Sequence, residues 1–272
     1  MTLSVYGGSG FVGRNFIKMH EGCIQISREE RKPQSKNILY FISTVDNYNV
    51  FDNLTLDVET NLKVLCEVLE HCKDKDITFN FISSWFVYGK TPYMGAKEDS
   101  VCVPTGFYSI TKKCAEDLLI SFCETFGVKY RILRLCNVVG AGDHNASRKK
   151  NALTWLINQL KLNHDVNLYD GGVHCRDIMH VQDVCRAINL VCTKGELNTI
   201  YNIGSGHPTK VSEFVHLAHH YLKSKSVINN IETPDFHDKV QTQSFWMNTS
   251  KLQKLGFEPN LSLEFIVKDL CL

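Results

Sequence analysis

The chain has 272 residues and carries 30 Lys and Arg against 29 Asp and Glu, a formal net charge of +1. That length suits one large α/β domain, or a main domain with a smaller lobe, and the near-zero charge excludes nucleic acid or an anionic membrane recruited by bulk electrostatics. Hydrophobic residues make up 43% and charged residues 22%, as in ordinary globular chains, and no apolar run approaches the roughly 20 residues of a bilayer span.

Met1 to Tyr6 runs straight into a glycine turn with no basic segment of a secretion signal, so the chain is expected in the cytoplasm. Leu3 to Tyr6 reads as a strand, Gly7 to Gly13 as a turn and Phe11 to His20 as a helix. Cys23 to Ser27 and Ile38 to Ser43 are further strands. Leu56 to Cys72 has helical spacing through Leu62, Leu65, Val68 and Leu69. Strand Ile77 to Ser83, helix Tyr108 to Phe126 and strand Tyr130 to Leu135 follow. This alternation predicts βαβ units: an α/β fold with a doubly wound parallel sheet.

Beyond Asn137 the pattern loosens. Helices are predicted over Ala152 to Leu162, Val181 to Cys192 and Val211 to Leu222, with strands at Val166 to Tyr169 and Thr199 to Ile203. Short terminal helices cover Ser250 to Leu255 and Leu263 to Leu270. The break at "NVVGAGDHNASRKK", residues 137–150, divides a cofactor domain, 1–140, from a smaller mixed substrate lobe, 141–272, with later segments returning to the first. Eleven cysteines include no C-x-x-C pair and lie mostly in apolar segments, so they read as reduced, small hydrophobes.

"VYGGSGFVG" sets Gly7, Gly10 and Gly13 directly after a strand and at a helix start. Small residues there let the backbone approach a pyrophosphate, and the helix N-terminus offers N–H donors; Phe11 and Val12 belong to the same cradle. At the end of the second strand, "IQISREERKP" presents Ser27 and Arg28, with Arg31 and Lys32 beyond. Cations there favour the 2′-phosphate of NADP, while Glu29 and Glu30 keep NAD as the alternative.

"FYSITK" puts Tyr108 and Lys112 four apart on one helix face. An ammonium beside a phenol favours the phenolate and should lower the tyrosine pKa, making Tyr108 an acid/base for a hydroxyl or carbonyl. Ser84, at the preceding strand end, would bond the same oxygen. His216, His219 and His220 share a helix face, but only Glu213 stands near them, so a solvated surface is expected rather than a metal site. His144, Arg148, Lys149 and Lys150 form a basic loop, either solvated or touching phosphate.

These ordered segments resemble the extended short-chain dehydrogenase/reductase family, NAD(P)-dependent epimerases, dehydratases and reductases of nucleotide sugars. The resemblance covers nearly the whole chain. Its carriers are "GGSGFVG", "SSWFVYG" and "YSITK", then Asn61 in "DVETNLKVLCEVLEHC", "LRLCNVVGAGD", "CRDIMHVQDV", "YNIGSG" and the late "KLGFEPNLSLEF". It implies a Rossmann-type fold with Ser84, Tyr108 and Lys112 as the catalytic triad. Asn61, Tyr108 and Lys112 would also touch the cofactor. Asn137 and Arg176 would contact the nucleotide diphosphate, beside Trp85 and Phe86 in the sugar site.

Two departures stand out: only about ten residues separate Ser27 from Ile38, where the family usually fits another helix and strand, and Ile42 and Ser43 replace two small residues beside the cofactor. The favoured activity is NADPH-dependent reduction of a nucleotide-linked 4-keto-6-deoxy sugar. An NAD-dependent 4-epimerase is the alternative within the family, and a non-catalytic nucleotide-binding protein the alternative outside it. Dehydration is disfavoured, because Trp85 and Phe86 stand where dehydratases of the family place an Asp–Glu pair. A nucleotide-diphosphate sugar is the expected partner. A homodimer through helices at 61–72 and 108–126 is implied by the resemblance.

Overall fold

The computed structural model describes residues 1–91, 94–240 and 243–272. The N-terminal half runs β1 Leu3–Tyr6, α1 Phe11–Met19, β2 Cys23–Gln25 and β3 Asn37–Tyr40. The next helix is interrupted: α2 Leu56–Val58, a π-helical turn Glu59–Lys63, then α3 Val64–Glu70. It is followed by β4 Thr78–Ser84, α4 Phe107–Phe126 and β5 Lys129–Leu135. The rest comprises β6 Asn137–Val139, α5 Ala152–Lys161, β7 Val166–Tyr169, β8 Cys175–His180 and α6 Val181–Lys194. Then come β9 Thr199–Ile203, β10 Pro208–Lys210, α7 Val211–Leu222, β11 Ile228–Ile231, α8 Asp235–Val240, α9 Ser250–Lys254 and α10 Leu263–Cys271.

Six parallel strands form the central sheet in the order β2-β1-β3-β4-β5-β9. The chain reverses its direction of winding between β1 and β3, the switch point where open α/β sheets bind ligands beyond the carboxyl ends of their strands. One edge of the sheet is β2 itself. The abbreviated segment from Ser27 onward is an irregular loop in which Gln34 N donates to Ser4 Oγ at 2.9 Å.

Both faces of the sheet are covered, and strand alternation sorts the core. Leu3, Val5, Leu39, Leu133 and Leu135 pack towards α1 and α6, while Ile38, Tyr40, Phe79, Phe81 and Ile132 pack towards α3 and α4. A buried bidentate pair ties α4 to β5: Arg134 donates to the two carboxylate oxygens of Glu116 at 3.0 and 2.7 Å. A third core joins α5, α7 and α10 with β7.

Sequence reasoning missed β6, β8, β10, β11 and α8. β8 pairs parallel with β6 and antiparallel with β10 in a three-stranded sheet. Three-residue strands are too short to show a period, and β8 carries Arg176 and Asp177 in its middle. Asp177 is buried and accepts from Ser205 N, Ser205 Oγ, Gly206 N and Met247 N, so its polarity serves the loop after β9. The predicted boundary at 137–150 thus begins with a paired strand. Among the described residues, no helix is long and apolar enough to cross a membrane.

Candidate active site

A cleft of about 600 Å³ runs along the carboxyl ends of β1, β3, β4 and β5. At one end lies the glycine turn. Gly7 has a φ of +72°, and a Cβ on Gly13 would stand 2.7 Å from Gly7 O and 3.0 Å from Gly8 Cα. Backbone on both sides leaves no room for a side chain. Gly10 begins α1 with no side-chain cap, so the first helical N–H groups face the cleft beside Phe11 and Val12. This open cradle fits a dinucleotide pyrophosphate.

Ser27, Arg28 and Arg31 line the cleft at the end of β2. Arg31 Nε donates to Glu67 Oε2 at 2.7 Å. The Glu30 carboxylate turns back onto its own loop, accepting from Arg31 N at 2.8 Å and Lys32 N at 2.7 Å. Among the described residues, no carboxylate lines this end of the cleft.

The middle of the cleft gathers Ser84, Tyr108 and Lys112 with Ile42 and Ser43. The sequence predicts that Lys112 lowers the Tyr108 pKa; the structure reverses the direction. Burial pushes the phenol up to about 12, outweighing hydrogen bonds from the Ser84 and Ser43 hydroxyls, while the charges of Asp57 and Asp46 raise it further. Lys112 is itself pushed down to about 7 by burial, with only the Glu116 charge favouring its ammonium. Its Nζ donates to Ile82 O at 2.8 Å and lies 4.1 Å from the Phe81 ring centroid, which pins it against β4. The start of α4 is held by Asn47, whose Oδ1 accepts from Ser109 N at 3.3 Å.

Asn61 departs from its sequence-based assignment. It is 1% exposed and does not line the cleft; Thr60 and Val64 do. Its Oδ1 accepts from Ser43 Oγ at 3.0 Å and Thr44 N at 2.8 Å, and its Nδ2 donates to Thr44 Oγ1 at 2.8 Å and Thr111 Oγ1 at 2.9 Å. Those four bonds exhaust the amide. The π-helical turn therefore aims Asn61 at the loop after β3 and at α4, as a strut behind the cleft rather than a cofactor contact.

A second pocket, about 210 Å³, meets the cleft at Val45, Trp85, Phe86, Asn137 and Asn151. Trp85 stacks on Phe86 at 4.2 Å and on Phe245 at 5.1 Å, and Phe86 meets Tyr108 edge-on at 5.8 Å. Asn137 Nδ2 donates to Asp177 O at 3.1 Å. The Arg176 guanidinium lies 5.8 Å from the Trp85 ring and donates to the carbonyls of Cys175 and Gln243. Among the described residues, no ion pair joins Arg176 to Asp177. Arg148, Lys149 and His174 also line this pocket, while Lys150 lines the cleft and His144 lines neither. Burial, followed by the Arg176 and Arg148 charges, holds His237 down to about 4.

His216 and His219 bond the carbonyls of Ser212 and Ser226, and no metal-binding group of His, Cys, Asp or Glu exists among the described residues. Sequence reasoning missed Ser83, Asp46, Tyr48, Tyr169 and His237. Ser83, in the cleft wall, has a buried Oγ with no hydrogen-bond partner among the described residues. Asp46 follows a strand end at the switch point, a signal that was available. Tyr48 Oη meets His237 Nδ1 at 2.9 Å across 189 positions of chain, which no local pattern announces.

A low-salt glycan biosynthesis protein of Haloferax volcanii is 29% identical over 97% of this chain and 95% of its own. UDP-glucose 4-epimerase of Thermotoga maritima, solved with UDP-glucose, superposes with a TM-score of 0.87 at 21% identity, covering 99% of this chain and 97% of that one. RMD of Pseudomonas aeruginosa, solved with NADPH, gives 0.85 at 20% identity over 100% and 98%. These likenesses show the Rossmann-type fold. The sequence profile of the NAD-dependent epimerase/dehydratase family matches residues 34–204, from the loop before β3 through β9. This chain belongs to that family, as an extended short-chain dehydrogenase/reductase.

Proposed function

We propose that this protein reduces the keto group of a nucleotide-linked 4-keto-6-deoxy sugar, with NADPH as reductant. The observation that carries the reading is Tyr108, buried in the cleft with Ser84 and Lys112 and edge-on to Phe86, which lines both pockets. Its phenol can give a carbonyl oxygen the proton that the reductive direction requires. When bound, NADPH supplies the hydride. Tyr108 protonates the oxygen, Ser84 hydrogen-bonds and orients it, and Lys112 places an ionisable amine beside the same wall. Arg28 and Arg31 at the β2 end favour a 2′-phosphate. Arg148, Lys149 and Arg176 suit the substrate diphosphate. Trp85 and Phe86 can neither give nor take the proton of a dehydration.

The test is consumption of NADPH with UDP- and dTDP-linked 4-keto-6-deoxy sugars. Tyr108→Phe should lower kcat by about 10²–10⁴-fold, the usual worth of a positioned acid. Unchanged turnover in that variant would remove Tyr108 from the mechanism, and no turnover of these sugars by the native protein would leave a nucleotide-binding protein. One observation favours an NAD-retaining 4-epimerase: Glu67 neutralises Arg31. Native mass spectrometry separates the two readings, since protein purified with bound NAD supports the epimerase.

A further inference from the structure

We infer that Glu67 sets how strongly the cofactor site prefers NADPH to NADH: it holds Arg31 back from the 2′-phosphate and leaves Arg28 to read that group. The inference rests on the nicotinamide-cofactor reading above and assigns its selectivity to a residue outside the cleft. Ser27, Arg28 and Arg31 line the far end of the cleft, whereas Glu67 stands on α3 and does not line it, nor do Glu29 and Lys32. Arg31 is tied down at three points. Its Nε donates to Glu67 Oε2 at 2.7 Å, its Nη1 donates to Arg28 O at 2.6 Å, and its carbonyl accepts from Tyr6 Oη at 2.7 Å. Arg28 is exposed, and among the described residues no hydrogen bond or ion pair holds its side chain.

A guanidinium grips a phosphate best with two parallel N–H donors, either Nη1 with Nη2 or Nε with Nη2. In Arg31 the Glu67 carboxylate takes Nε and the Arg28 carbonyl takes Nη1, so each fork lacks one prong. Among the described residues, Nη2 alone of the three nitrogens is without a partner. The same carboxylate offsets the charge that would attract a phosphate. Arg31 therefore offers a 2′-phosphate one hydrogen bond at most, and the free Arg28 carries the discrimination. Taking Glu67 away restores the Nε–Nη2 fork while Nη1 and the Arg31 carbonyl keep their own partners. The uncharged 2′-hydroxyl of NADH gains nothing from that release. Glu67 is thus a positioning residue that acts on the cofactor through Arg31.

The experiment titrates NADPH and NADH, two cofactors that differ only at the 2′ position, into the native protein and its variants at one salt concentration, with binding read by nicotinamide fluorescence. Glu67→Ala should tighten NADPH by at least about threefold, the worth of one exposed charge pair, and leave NADH within about twofold. On an Arg31→Ala background the same substitution should change neither cofactor by more than about twofold, because the gain passes through Arg31. Arg28→Ala should weaken NADPH by about tenfold, as expected for a hydrogen bond to a charged group, and Arg31→Ala by about threefold or less. An unchanged NADPH affinity in Glu67→Ala overturns the inference, as does an equal gain for both cofactors or a gain that survives without Arg31. A loss in Arg31→Ala as large as that in Arg28→Ala also overturns it, and that comparison needs no change at Glu67. Failure of both cofactors to bind the native protein would overturn the nicotinamide reading, and the inference with it.

Discussion

Replacing Asn61 with alanine separates a strut from a cofactor contact. The substitution deletes four hydrogen bonds in a site 1% exposed. Two partners keep other bonds: Thr44 Oγ1 still donates to Asp57, and Thr111 Oγ1 to Phe107 O. The backbone N–H of Thr44 loses its acceptor. At about 1 kcal/mol per bond, with one half-buried donor left unsatisfied, the loss should be about 3–5 kcal/mol. Urea unfolding of the protein without added nucleotide measures it as a fall in midpoint at unchanged m-value. A loss below about 1 kcal/mol, combined with a large drop in NADPH affinity, would refute this reasoning. That outcome would return Asn61 to the role the sequence implied.

Gly13→Ala should both destabilise the fold by about 1–3 kcal/mol and weaken NADPH binding, because its Cβ would press on backbone atoms that cannot yield. Gly10→Ala meets Gly7 O at 3.4 Å, an ordinary contact, so thermal melting should change little while NADPH titration still shows weakened binding. Lys112 gives a pH signature. Its folded pKa is down at about 7, against about 10.4 in the unfolded chain. Between those values the unfolded state binds more protons, so this residue's contribution makes stability rise with pH across that window. Lys112→Met should remove that slope when chemical unfolding is measured from pH 7 to 10; identical slopes in both proteins would contradict the buried, readily deprotonated lysine.

Local patterns carried the first half of the molecule. A strand, a glycine turn and a helix start are adjacent in sequence, so the spacing of Gly7, Gly10 and Gly13 was readable before any fold existed. The same holds for Tyr108 and Lys112, because a four-residue interval on a helix has only one geometric meaning. Ser84 was legible as the end of a buried apolar run. The second sheet was not, because β6 and β10 are three residues each and draw their stability from partners elsewhere in the chain. Asn61 shows the limit most clearly: its residue type and helix were read correctly, but its direction depends on a π-helical turn and on Thr44 and Thr111. The Tyr108 pKa turned on burial and on Asp46 and Asp57, whose distances from the phenol exist only once the chain is folded. Residue chemistry and short-range spacing are properties of the sequence. Desolvation, the sum of neighbouring charges and the meeting of Tyr48 with His237 belong to the tertiary structure, because each is fixed by atoms far apart along the chain.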